Sequence, residues 1–178
     1  KVGSSSRNVA VASTIDYDSS FGNTWSNQYA YEKGFYAYAS SSIRDRKFAG
    51  FETVTKTDPF SVEITRYHQG NINTASTSEL GDSYSKIGLA YRSDVKDTLG
   101  NLYKTTQTRW EHAGTASTSG FVYKTRELTR DYDGDADVKD SAIEYAYVPS
   151  NGNLSSLIEW GEVTGSSTGS FTDVGSDK

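Results

Sequence analysis

The chain contains no cysteine, which excludes a disulfide framework, a thiolate nucleophile and a cysteine-ligated zinc. It contains no methionine either, not even at position 1, and the expectation is therefore a piece of a longer polypeptide. Imidazole is scarce. His68 and His112 are the two histidines, and no spacing ties either one into a nucleophile–base pair. Long apolar runs are missing as well, so no membrane-spanning segment is expected. The opening Lys1-Val2-Gly3-Ser4-Ser5-Ser6 lacks the apolar core of a signal peptide. Positive charge is not in excess: 18 Lys+Arg stand against 23 Asp+Glu, a net charge of −5. That balance argues against a nucleic-acid partner, which calls for a basic face.

What the chain does have is tyrosine. Apolar residues make up only 34% of its 178 positions, yet 13% are aromatic, with 13 Tyr against 7 Phe and 3 Trp. Tyrosine supplies a large apolar ring and keeps a hydroxyl for water or a partner. Such a mixture suits a thin sheet with much surface per residue. The aromatic and β-branched residues run through the whole sequence, unlike the composition of disordered segments.

The dominant period is two. Val62 and Ile64 alternate with Glu63 and Thr65; Ile87, Leu89 and Tyr91 alternate with Gly88 and Ala90. Ile143, Tyr145 and Tyr147 form a third set, and Ile158 and Trp160 a fourth. Alternation of this kind marks strands with one apolar face. Further strands are predicted at Ser6–Tyr17, Gln28–Tyr38, Lys47–Lys56, Leu102–Glu111 and Gly120–Thr129. Turn signals separate them at Phe21-Gly22-Asn23, Asp58-Pro59, Gln69-Gly70-Asn71, Leu99-Gly100-Asn101 and Asn151-Gly152-Asn153. The expected fold is all-β, an antiparallel hairpin meander in one region spanning residues 1–178. Thr77–Lys86 is the one stretch suited to a short helix, and residues 165–178 read as a flexible, linker-like end. The Gly-Asn-Leu turn at 100–102 recurs at 152–154, a loose internal repeat.

Several of these motifs stand in a recognisable order. Tyr29-Ala30-Tyr31-Glu32-Lys33-Gly34 precedes Arg44-Asp45-Arg46-Lys47-Phe48-Ala49-Gly50-Phe51-Glu52-Thr53-Val54, which is followed by Thr65-Arg66-Tyr67-His68-Gln69-Gly70. Then come Lys86–Arg92, Gly100-Asn101-Leu102-Tyr103, Phe121–Thr125 and Tyr145-Ala146-Tyr147. Over roughly residues 25–178 this series resembles the middle region of Tc-toxin B components and related SpvB-like proteins of the Rhs/YD-repeat family. The resemblance implies a curved open sheet forming a strip of an Rhs-type β-cage. It also implies a secreted or cell-surface bacterial protein, without enzymatic activity, that encapsulates a toxic polypeptide. The expected partners are the remainder of a parent Rhs/Tc protein and its payload. Val148-Pro149 departs from the pattern, because a YD repeat would carry Asp there.

Three constellations are candidates for chemistry. Asp133, Asp135 and Asp137, with Glu144 beyond them, fall at the first, third, fifth and twelfth places of a calcium loop. Val138 occupies the sixth place, where such a loop needs Gly. The acidic run is therefore read first as a solvated hairpin loop and only second as a calcium site. No cofactor other than calcium is implied. Trp25, Trp110 and Trp160 offer a sugar-stacking platform if the fold gathers them. That is the basis of the alternative function, an adhesive or carbohydrate-binding surface module. His68, at a strand end, is read as a hydrogen-bonded structural residue.

Overall fold

A computed structural model of the chain describes residues 12–18, 23–38, 46–70, 81–112, 121–132, 138–148 and 150–175. Among the described residues ten strands follow one another: β1 (Ser13–Asp18), β2 (Asn23–Tyr38), β3 (Arg46–Thr57), β4 (Ser61–Tyr67), β5 (Ala90–Asp97), β6 (Leu102–His112), β7 (Val122–Asp131), β8 (Lys139–Tyr147), β9 (Leu154–Gly165) and β10 (Phe171–Asp173). They form one sheet in chain order, each antiparallel to its neighbours, and the sheet is open at β1 and β10. The all-β antiparallel meander expected from alternation is the observed fold.

The turns follow local chemistry. At Asp58 the carboxylate accepts the backbone N–H of Phe60 (2.8 Å) and Ser61 (2.7 Å), closing the β3–β4 hairpin. Those bonds, the Phe60 amide first, hold its pKa below the ordinary carboxylate value. Gly100 and Gly152 sit at φ +93° and +74°, a conformation that L side chains rarely adopt. Asp97 braces the first of these turns by accepting from the amides of Leu99 and Asn101.

One expectation shifts. The alternation of Ile87, Leu89 and Tyr91 predicts one strand, but β5 begins only at Ala90. Tyr84–Lys86 forms a single 3-10 turn and Gly88 has φ +83°, so Ile87 lies in a bend. Ile87 instead sits against Gly70, where an added Cβ would come within 2.8 Å of its Cγ1. The 3-10 turn is what remains of the helix expected over 77–86, whose first four residues lie outside those described. The stretch read as linker-like opens inside β9 and continues into β10.

Register sorts the side chains onto two faces. On one, Thr53, Arg66, Arg92, Gln107, Leu128, Ala142 and Trp160 lie opposite one another in a row from β3 to β9. On the other, Val54, Thr65, Ser93, Thr106, Thr129 and Ser141 form the matching row. The first carries the arginines and is called the arginine face; the second row is mostly hydroxyl-bearing, on a face that also holds Ile143, Tyr145 and Leu157. Burial is concentrated at one end. Leu128, Ala142 and Val163 are buried together, with Trp160 and Phe171 packed against them. The β9–β10 hairpin makes this possible by folding across the arginine face. Gly165 donates its amide to Asp140 (2.6 Å), and the Ser167 carbonyl accepts from Gln107 on β6 (2.8 Å). A Cβ at Gly165 would stand 2.9 Å from Leu128 Cδ2 and 2.7 Å from the Asp140 carboxylate, so only glycine allows this approach.

Candidate functional site: the arginine face

Five of the chain's eight arginines, Arg66, Arg92, Arg109, Arg126 and Arg130, share this face across β4 to β7. Arg66 lies directly opposite Arg92, and Arg109 directly opposite Arg126. Like charges so placed repel unless anions intervene. Here carboxylates do. Asp94, almost wholly buried, accepts from Arg66 Nη1 (2.5 Å), Arg92 Nε (2.8 Å) and Thr105 Oγ1 (2.9 Å). Burial pushes its carboxyl up, but these three donors outweigh burial and hold it below the ordinary value. Arg126 is paired with Glu144 at 2.7 Å, Arg109 with Glu111 at 3.2 Å and Arg130 with Asp140 at 3.1 Å.

Beside the second arginine pair the face is hollowed into an open groove of about 340 Å³, lined by charged groups (Arg109, Glu111, Arg126, Glu144) over Ala146 and Ile158. Arg126 is fixed further by the Phe171 ring, 4.8 Å from its guanidinium carbon. The hairpin that buries Leu128 therefore also steadies the groove wall.

A second polar knot lies at the end of β4. His68, fully buried, has Nδ1 3.4 Å from Asp82 and its ring 5.0 Å from that of Tyr91. Asp82 also accepts the amides of Gln69 (3.1 Å) and Ser83 (2.7 Å), and buried Lys86 donates to the Gly81 carbonyl. These bonds fasten the approach to β5 onto the end of β4. The structural part expected of His68 is what the geometry provides.

Asp133, Asp135 and Asp137 lie outside the described residues. Glu144 stands in β8 with its carboxylate engaged by Arg126. Among the described residues no group of three His, Asp or Glu side chains converges on a point suited to a metal. Nor are the tryptophans gathered. Trp25 is on β2, Trp110 donates from β6 to the Ala90 carbonyl (2.8 Å), and Trp160 packs on Phe171 in the small core. The larger ring clusters are built from other residues: Tyr29, Tyr31, Phe51, Phe48 and Tyr36 along β2 and β3, and Phe121, Tyr123 and Tyr147 at β7 and β8. The pairing of the arginines is not legible in the sequence. The Arg92-x-Asp94 spacing on an alternating strand was the available signal, but their cross-strand partners depend on register.

Known proteins share this architecture. Residues 6–78 match the family described as the insecticide toxin TcdB middle/N-terminal region. The fold matches a crystal structure of TcdB2-TccC3 without its hypervariable C-terminal region, with a TM-score of 0.61 and 14% identity, over 83% of this chain. The resemblance to Tc-toxin B components holds. A structure of TcdB2-TccC3 matches at TM-score 0.53 and 16% identity over 74% of the chain, and one of TcdB2-TccC3-Cdc42 at 0.52 and 16% over 69%. The chain spans about a tenth of the length of these solved chains, 10%, 9% and 8% respectively. No curated protein matches it in sequence. The family match begins earlier than residue 25, where the motif series was placed, and stops at 78. Beyond that point the likeness is one of fold.

Proposed function

We propose that this chain is a segment of the wall of a secreted bacterial Tc-type toxin shell, in which it encloses a toxic polypeptide and has no catalytic role. The observation that carries the reading is the open antiparallel meander of ten described strands, which matches in fold about a tenth of a TcdB2-TccC3 chain. The character of the two faces supports it. An antiparallel sheet of a globular domain ordinarily hides one apolar face in a core. Here polar side chains cross both faces, Arg66 and Arg92 on one and Thr65, Ser93, Thr106, Thr129 and Ser141 on the other, which supports a wall wetted on both sides. The partners in this reading are the remainder of the parent protein, whose strands would extend the sheet at its open edges, and the enclosed polypeptide.

Closure is the testable part. The chain has no native cysteine, so single cysteines report on each face without interference. Ser156 and Leu157 are adjacent, exposed residues of β9 on opposite faces of the sheet. In the assembled toxin component, a bulky maleimide is expected to label only one of Ser156→Cys and Leu157→Cys, and both after denaturation. Equal labelling of the two in the native assembly would rule out a closed wall.

A further inference from the structure

The arginines of the face differ in their company. Arg109, Arg126 and Arg130 each have a carboxylate of their own: Glu111, Glu144 and Asp140. Arg66 and Arg92 share a single one, Asp94. Asp94 is held ionised by both arginines and Thr105, so the pair keeps one uncompensated positive charge. The hydrogen bonding is equally incomplete. A guanidinium has five N–H donors, yet Arg66 uses one nitrogen, Nη1, and Arg92 uses Nε alone. Among the described residues the remaining nitrogens have no acceptor. The two side chains keep 28% and 23% of their surface exposed. Thr53 and Gln107, opposite them on the outer strands, bring no countercharge.

We propose that Arg66 and Arg92 form an oxyanion site whose occupant is a carboxylate side chain of an acidic polypeptide segment lying on this face. The site rests on the arginines and goes beyond the wall reading, on which it does not depend. Asp94 fixes both guanidinium groups from below, and their free N–H forks suit the planar, two-oxygen geometry of a second carboxylate. One carboxylate charge matches the one charge in excess. The pair Arg109 and Arg126, already balanced by two glutamates, is an internal control on the same face.

The test titrates the whole chain with a fluorescently labelled hexaglutamate peptide at low salt and reads fluorescence anisotropy. Saturable binding is expected, weakened by about tenfold in Arg92→Gln and severalfold in Arg92→Lys, which keeps the charge and loses the fork. Arg109→Gln should change affinity by less than about twofold, since it removes an arginine that has its own partner. Inorganic phosphate that displaces the peptide supports the shared oxyanion site. Phosphate that binds where the peptide does not overturns the assignment to a polypeptide. Absence of saturable peptide binding, or unchanged affinity in Arg92→Gln, overturns the site altogether. Should Arg92→Gln fail to fold, the Nε–H resonances of Arg66 and Arg92 in the unaltered chain decide the matter. They must shift on adding peptide, and unmoved resonances overturn the proposal.

Discussion

The two ends of the sheet handle apolar side chains in opposite ways. Along β2 and β3 the rings of Tyr31, Phe51, Phe48 and Tyr36 touch in sequence at centroid distances of 5.0–5.6 Å, and none is fully buried. They shelter one another across a single layer. Gly34 helps by leaving its face open, so that the Phe51 ring lies 3.2 Å from where a Cβ would stand. At β7–β10 the chain folds its last hairpin over the arginine face, and Leu128 becomes wholly inaccessible. A leucine under a second layer is thus shielded from water more completely than a ring within one layer. Stability is therefore expected to concentrate where the sheet doubles, not where the aromatic residues are.

That comparison can be broken by mutation, beginning at the doubled end. Leu128→Ala should cost the most, about 3 kcal/mol in urea-induced unfolding, because a fully buried leucine leaves a cavity that the hairpin cannot collapse into without losing Gly165–Asp140. Phe51→Ala removes a larger side chain from a partly buried site and should cost only about 1–2 kcal/mol. If Phe51→Ala proves the more damaging, the aromatic strip and not the doubled end is the true core.

Between these two falls Asp94→Asn, expected to cost about 2–3 kcal/mol. It leaves two arginines facing each other, although their partial exposure lets water relieve some of the repulsion. Asp94 also makes a pH prediction. Its folded pKa is depressed, so the unfolded chain takes up its proton first as pH falls. The stabilisation is complete above the unfolded value of about 4 and is lost as pH drops through the lower folded value. Urea midpoints measured from pH 6 to pH 2 should fall less steeply in Asp94→Asn than in the unaltered chain. Equal slopes would mean that Asp94 is not held by its arginines. The smallest effect belongs to the exposed pair Lys33 and Glu52, 3.0 Å apart with the lysine 67% exposed. Lys33→Ala should shift stability by less than about 1 kcal/mol, and less still at high salt.

Features set by neighbours along the chain were legible in the sequence. Asp58-Pro59, Gly100 and Gly152 announce their turns because Asx bonding and positive φ are local demands. The alternation of Val62 and Ile64 likewise announces β4. Ile87 and Leu89 misled, because an alternating pattern is also what a bend with a glycine at its centre can show. Leu128 was inconspicuous within Arg126-Glu127-Leu128-Thr129-Arg130. Nothing beside it in the chain marks it as core, since the residues that bury it come from β8, β9 and β10. The site was hidden for the same reason. Arg66 and Arg92 are 26 positions apart in sequence and meet only through the β4–β5 register.

By itself, then, the sequence determined an acidic, cysteine-free chain of short alternating strands and tight polar turns, and a family order of motifs matched in part by residues 6–78. Those properties depend on side-chain periodicity and local backbone preference, which are written residue by residue. Only the tertiary structure decided which residues share a face, which arginines have a carboxylate of their own, and where the sheet doubles to exclude water. The physical reason is that strand pairing joins distant segments. A shift of one residue in register would send every side chain of a strand to the other face.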